Sequence, residues 1–395
     1  MKNTALILLL FIIKVCNAQE AKSIQFRTNK IEIDGKLDES IWNEITSFSG
    51  FHNYFPNDEG KAINKTEVKV FHDGDYLYIG AVYYDTTSEN KISSLKRDGQ
   101  GNIVVLSDAF GIVLDPFNTK NNGYYLAVNA GNSQFDALVN FNGTRYRYNE
   151  NWNAVWKSQT ATIGNKKIYE IAIPFKAFNY DVNNSIWGIQ FFVRDFKKNI
   201  WMTLTDMGRD YIQYDLRFTE DMQIEQLPKK SKSRFTVTPS ITYNYQQDVY
   251  ANTTKSTFKP SLDAQYDITS SLRLGATINP DFSQIDVDRQ ITNLTRFNVA
   301  FPERRNFFLE DSDLFTNLGS DGVNPFYSRR IGSKGDIQFG LKLSGNITEN
   351  SRIGFLDVQT EKEGTTKSQN YSATVFQQKI FQQFTATGYL INRQE

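Results

Sequence analysis

Phe235-Thr236-Val237-Thr238-Pro239-Ser240-Ile241-Thr242-Tyr243-Asn244-Tyr245 places Phe, Val, Pro, Ile and two Tyr on one face of an extended chain. Thr, Ser and Asn fall on the other, because successive side chains of a strand point to opposite sides. The pattern recurs over Phe258–Ile268 and Leu272–Ile278, and again over Ile337–Leu343. Strands of ~9–11 residues with one apolar and one polar face are what a transmembrane barrel requires. A second soluble sandwich, core on one side and water on the other, produces the same alternation. Between Arg234 and Glu395 only six or seven such strands can be drawn, fewer than the ~8 of the smallest closed bacterial barrels. Residues 229–395 are therefore expected to be the N-terminal part of a barrel belonging to a longer protein.

Working backwards, Pro228-Lys229-Lys230-Ser231-Lys232-Ser233 is a polar, basic break and marks a domain boundary. Before it the strands are shorter: Val68 and Val70, then Leu77 to Tyr83 across an Asp73-Gly74-Asp75 turn, Phe110 to Leu114, Tyr169 to Phe175, and Trp187 to Val193. Short strands with turn residues between them and almost no helical periodicity predict an antiparallel β-sandwich over residues 19–228. The expected fold class is all-β, a sandwich followed by part of an antiparallel transmembrane-type barrel. Within the latter, residues 281–330 break the pattern. Val287, Ile291, Leu294 and Asn298 have helical spacing, and arginines mix with carboxylates, as in a lumen plug or in a solvated loop.

The N-terminus reads as an export signal, residues 1–18: Lys2, an apolar run from Ala5 to Ile13, and Cys16-Asn17-Ala18 before Gln19. The chain has 395 residues, 44 basic and 44 acidic, 30 Phe, 20 Tyr, two His and this one Cys. Neutral balance removes the basic surface that drives nucleic-acid binding, and so few His and Cys exclude a Cys/His zinc centre or a disulfide framework. His52 and His72 stand singly beside turns, where a solvated surface role is expected.

Ile33-Asp34-Gly35-Lys36-Leu37-Asp38-Glu39-Ser40-Ile41-Trp42, Asp75-Tyr76-Leu77-Tyr78-Ile79, Ser107-Asp108-Ala109-Phe110, Tyr169-Glu170-Ile171-Ala172-Ile173-Pro174-Phe175 and Trp187-Gly188 with Arg194 resemble the family 9 carbohydrate-binding module. Asn279-Pro280-Asp281-Phe282, Phe301-Pro302-Glu303-Arg304-Arg305-Asn306-Phe307-Phe308 and Tyr327-Ser328-Arg329-Arg330 are similar to the uncharacterised family that follows such modules in large outer-membrane proteins. These resemblances imply binding of an oligo- or polysaccharide in glycan capture, uptake or catabolism, contact with outer-membrane lipid, and no nucleic-acid partner. A hydrolase of O-glycosyl bonds and a non-binding structural plug are the alternatives they leave open. The family's ligand-stacking Trp before Asp108 and its Arg on the next strand are absent here, where Val105-Leu106-Ser107 and Tyr124-Tyr125-Leu126 stand.

Sugar faces stack on amphipathic rings, so Trp152 and Trp156 are candidates, against the alternative that they fill core; Tyr124, Tyr125 and Arg145 are the candidates to replace the missing clamp. Trp42, Trp187 and Trp201 sit in apolar strand motifs and are expected in the core. Asp34, Asp38, Asp73, Asp75 and Asp136 offer hard oxygen for a structural calcium ion, or serve their own turns. A glycosidase needs two carboxylates on either side of one bond, and no spacing here demands such a pair.

Overall fold

The computed structural model describes residues 22–395 apart from 99–100, 142–144, 151, 230–233, 249–252, 270, 281–302, 304, 310, 317, 320–324, 334, 349, 363 and 382–383. The export segment and the helix-spaced residues between Val287 and Asn298 lie outside the described residues. The first domain runs β1 (Lys22–Phe26), α1 (Ile41–Glu44), β2 (His52–Phe55), β3 (Thr66–His72), β4 (Tyr76–Tyr84), α2 (Asn102–Val105), β5 (Ala109–Asp115), β6 (Asn122–Asn129), β7 (Gln134–Phe141), β8 (Tyr146–Asn149), β9 (Lys157–Ile163), β10 (Lys166–Pro174), β11 (Ile186–Asp195), β12 (Ile200–Thr203) and β13 (Glu220–Ile224). The second follows with β14 (Phe235–Asp248), β15 (Thr253–Asp267), β16 (Leu272–Ile278), α3 (Asn306–Leu309), α4 (Asp313–Thr316), β17 (Ile337–Thr348), β18 (Ser351–Thr360), β19 (Asn370–Phe381) and β20 (Phe384–Gln394).

The sandwich has one layer ordered β8-β7-β6-β5-β11-β13 and another ordered β3-β4-β10-β9. β1 joins them, pairing β13 through Lys22–Ile24 and β3 through Gln25 and Phe26. Both of its pairings are parallel, which corrects the purely antiparallel expectation. No hairpin ties β1 to either partner, so nothing forces the antiparallel direction that a tight turn imposes.

Between the layers Val70 and Ile79 meet Ile112, Ile171, Trp187 and Ile189, all buried. A second apolar cluster backs the first layer, where Val113, Tyr125, Phe135, Phe192 and Trp201 pack beneath the chain around Met207 to Leu216. β5 is buried on both faces along its whole length, which is why Ala109 to Leu114 reads as a continuous apolar run rather than an alternation. Gly111 is required there: a Cβ would lie 2.0 Å from the Phe192 ring. Trp42, Trp187 and Trp201 are core, as their motifs suggest. His72 is not surface. It ends β3 fully buried, its ring against Phe26 and Phe175 and Nε2 2.6 Å from the Glu225 carbonyl.

The second domain is a seven-stranded meander in which each strand pairs the next, β14 through β20, all antiparallel. Among the described residues it is an open sheet, with β14 and β20 as its edges and no closed barrel. One face is exposed and apolar, with Ile241 68%, Tyr243 64% and Phe258 64% accessible and Leu341 and Phe376 beside them. The opposite face carries Thr277, Lys342, Ser344 and Arg352, all buried. What buries them is the described part of the pattern-breaking segment, residues 303–331. Leu314 and Phe315 of α4 pack on Leu356, Val358, Ala373 and Val375, so in β18 and β19 the covered face turns apolar. Ion pairs fasten the segment: Arg352 to Asp313 at 2.5 Å, and Arg305 to Glu303 at 2.6 Å with further bonds to the Ser328 and Ile331 carbonyls.

Candidate functional site

Residues 152–156 connect β8 to β9 and form neither strand nor helix. Trp152 is half-buried, its ring 4.9 Å from that of Tyr124, which lies 5.0 Å from Phe178. The Tyr124 hydroxyl accepts the Asn179 amide at 2.8 Å, and burial pushes the phenol up to about 12, so it stays neutral. Tyr125, one residue on in β6, points to the opposite face and is buried among Phe135, Phe192 and Tyr214. Trp156 is buried in the inter-layer core, and Arg145 is exposed just before β8. The five candidates thus do not converge. Trp152 and Tyr124 share a wall, while Tyr125 and Trp156 present no ring face to solvent.

That wall belongs to a cavity of about 500 Å³ between the sandwich and the meander. Asn122, Asn140, Asn153 and Asn179 surround the rings on the sandwich side, with exposed Lys176 beside them. Ser271, Arg273, Asp311, Asp313 and Asn346 face them from the other domain. Arg273 crosses the gap, donating through Nε to Asp267 at 2.6 Å and through Nη2 to the Asn179 side chain at 3.2 Å. A second link runs from Lys379 Nζ to the Thr119 carbonyl at 3.1 Å. The second-domain half of the cavity escaped the sequence reading: Arg273, Asp311 and Asn346 are remote in the chain from Trp152, and only the fold brings them together.

Around Asp108 this chain builds a closed ionic cluster. Asp108 is buried and accepts from Lys167 Nζ and the Lys91 amide, both at 2.8 Å, and from the Phe196 amide at 2.7 Å. Lys167 also meets Asp85 at 2.8 Å; Lys198 contacts Asp85 and Asp195, and Tyr83 donates to Asp195. Burial alone would raise the Asp85 carboxyl, but the hydrogen bonds from Lys167 and Lys198 hold it down at about 2. Glu170 lies three residues beyond Lys167 on β10 and on its other face, so Asp108 and Glu170 are not a facing pair. Glu170 is buried and accepts the Asp34 and Gly35 amides at 2.9 and 2.8 Å. Burial outweighs those two bonds and lifts its carboxyl to about 7.

The five aspartates proposed for calcium are likewise dispersed. Asp34 accepts the Lys36 amide and ammonium, and Asp73 accepts the Asp75 and Tyr76 amides and the Tyr78 hydroxyl. Asp136 is buried against Arg97 and the Ala154 amide, both at 2.5 Å, while Asp38 and Asp75 are exposed. At Asp34, Asp73 and Asp136, backbone amides and neighbouring side chains occupy oxygens a metal would need. Among the described residues no three His, Cys, Asp or Glu side chains are grouped to hold an ion.

The sandwich thus presents an aromatic- and amide-lined cavity on the side that faces the meander. Residues 33–210 match the family described as "Carbohydrate family 9 binding domain-like", and residues 231–356 match a "Domain of unknown function (DUF5916)". Among solved structures, the chain is similar to a family 9 carbohydrate-binding module from Caldicellulosiruptor kristjanssonii in complex with cellotriose, at 16% identity, covering 53% of this chain and 96% of that one, with a TM-score of 0.36. The glucose complex of a family 9 module from the same organism gives 16% identity, 54% and 100% coverage and a TM-score of 0.37. Among curated proteins no match is found.

Proposed function

We propose that the first domain is a carbohydrate-binding module and that the second is a strand meander of the outer membrane, so that the protein captures glycan at the membrane. The observation that carries the binding half is the cavity beside Trp152. A half-exposed indole and a ring of amides supply the two things a pyranose needs, an apolar platform and hydroxyl partners, and residues 33–210 match the carbohydrate-binding family model. The membrane half is supported by the continuous apolar face of β14–β17, by the export-type N-terminal segment, and by turns short at the sandwich end and longer at the other. The ligand of this reading is an oligosaccharide or the end of a polysaccharide; uptake or catabolism would lie downstream of capture.

Binding of the full chain to a glycan array tests the reading. The expected result is retention of one glycan class and loss of about tenfold in affinity, ~1.4 kcal/mol, for Trp152→Ala. An array with no bound glycan, or binding indifferent to Trp152→Ala, removes the module from this role.

A further inference from the structure

Resting on the carbohydrate reading, we infer that the ligand is a short uncharged oligosaccharide gripped by both domains, and that the plug-like segment 303–331 registers its arrival. The cavity, at about 500 Å³, falls within the ~300–1,000 Å³ range of small-ligand sites, which suits a few sugar rings rather than a long polymer. Apart from the exposed Lys176, its charged side chains are already matched. Asp313 is bonded to Arg352 at 2.5 Å, Asp311 accepts the Ser344 hydroxyl at 2.7 Å and lies 3.8 Å from Arg352, and Arg273 is bonded to Asp267. An ionised ligand would have to compete with those pairs. Hydroxyls meet instead a set of amides, each able to donate and accept, and among the described residues the Asn122 Oδ1 is buried with no partner.

The coupling follows from who owns the walls. Asp311 and Asp313 line the cavity at the start of α4, whose Leu314, Phe315 and Thr316 amides close onto the Asp311 and Ser312 carbonyls. The same helix seats Leu314 and Phe315 in the core beneath β18 and β19. A ligand bonded to this turn stabilises it, and a segment packed on the covered face of the meander is thereby tied to occupancy of the sandwich.

The test uses the full chain and the neutral oligosaccharide that it retains best. Asn346→Ala and Arg273→Gln are each expected to weaken binding about tenfold, whereas Asn370→Ala, on β19 and outside the cavity lining, is expected to leave it unchanged. Ligand is also expected to slow amide exchange at residues 314–316. Asn346→Ala removes a small polar group and keeps the test valid should Arg273→Gln disturb the fold. Binding that ignores both variants, with exchange unaltered, overturns the inference and leaves the carbohydrate reading standing. A uronate-bearing analogue bound as tightly as the neutral one overturns the uncharged class, and a chain that binds no glycan overturns both.

Discussion

The two domains bury their apolar residues by opposite rules. In the sandwich, β5 is covered on both faces and even its charges are sealed: Lys167, Asp85 and Asp108 are side chains of 3% exposure or less. In the meander the apolar face of β14–β17 looks outward, and in β16 and β17 it is the opposite, polar face that is covered. Water explains the first arrangement. The second is what the proposed membrane setting requires, because in hydrocarbon the aliphatic and aromatic side chains are the ones at home.

The largest effect that would break this contrast lies in the sealed cluster. Lys167→Met strands Asp108 beside a thioether and leaves Asp85 only Lys198, and loss of one partner from a buried ion pair costs about 3–5 kcal/mol. Chemical denaturation followed by tryptophan fluorescence reads the sandwich alone, since all five Trp, at 42, 152, 156, 187 and 201, lie in it. A loss near that size is expected, with partial recovery in Lys167→Met/Asp108→Asn; a negligible loss would mean the cluster is wet.

A smaller effect concerns Glu170, whose carboxyl is lifted from 4.5 to about 7 in the folded protein, chiefly by burial. As pH rises between those values the unfolded chain releases its proton first, so the folded state loses stability through the window. Asp115, raised by burial to about 6, adds to the same slope. Glu170→Gln removes its own share and is expected to be on the order of 2–3 kcal/mol more stabilising at pH 8 than at pH 4, relative to the parent. Thermal unfolding at the two pH values decides it, and a difference independent of pH would show that Glu170 ionises as freely folded as unfolded.

Legibility followed the same divide. The meander's strands were readable from Phe235 onward because a one-sided sheet writes its faces as strict alternation. The reading stops at β18 and β19, where Leu356, Val358, Ala373 and Val375 face the plug-like segment and the rule inverts. Of the candidate site, Trp152 and Tyr124 were visible as aromatic residues near a divergent motif. Tyr125 and Trp156 looked equivalent, and only the parity of β6 and the packing before β9 separate them. Asn179, Arg273 and Asp311 could not be found, since a cavity between domains leaves no spacing in a chain.

The proposed contrast between a water-bathed sandwich and a lipid-bathed meander is tested most directly by quenching with lipids brominated along their acyl chains. The full chain reconstituted in such vesicles is predicted to keep its native tryptophan emission, all of it from the sandwich. Tyr243→Trp, placed on the outward face of β14, should add emission that the bromine quenches. Quenching of the native tryptophans, or an unquenched residue 243, would contradict the account.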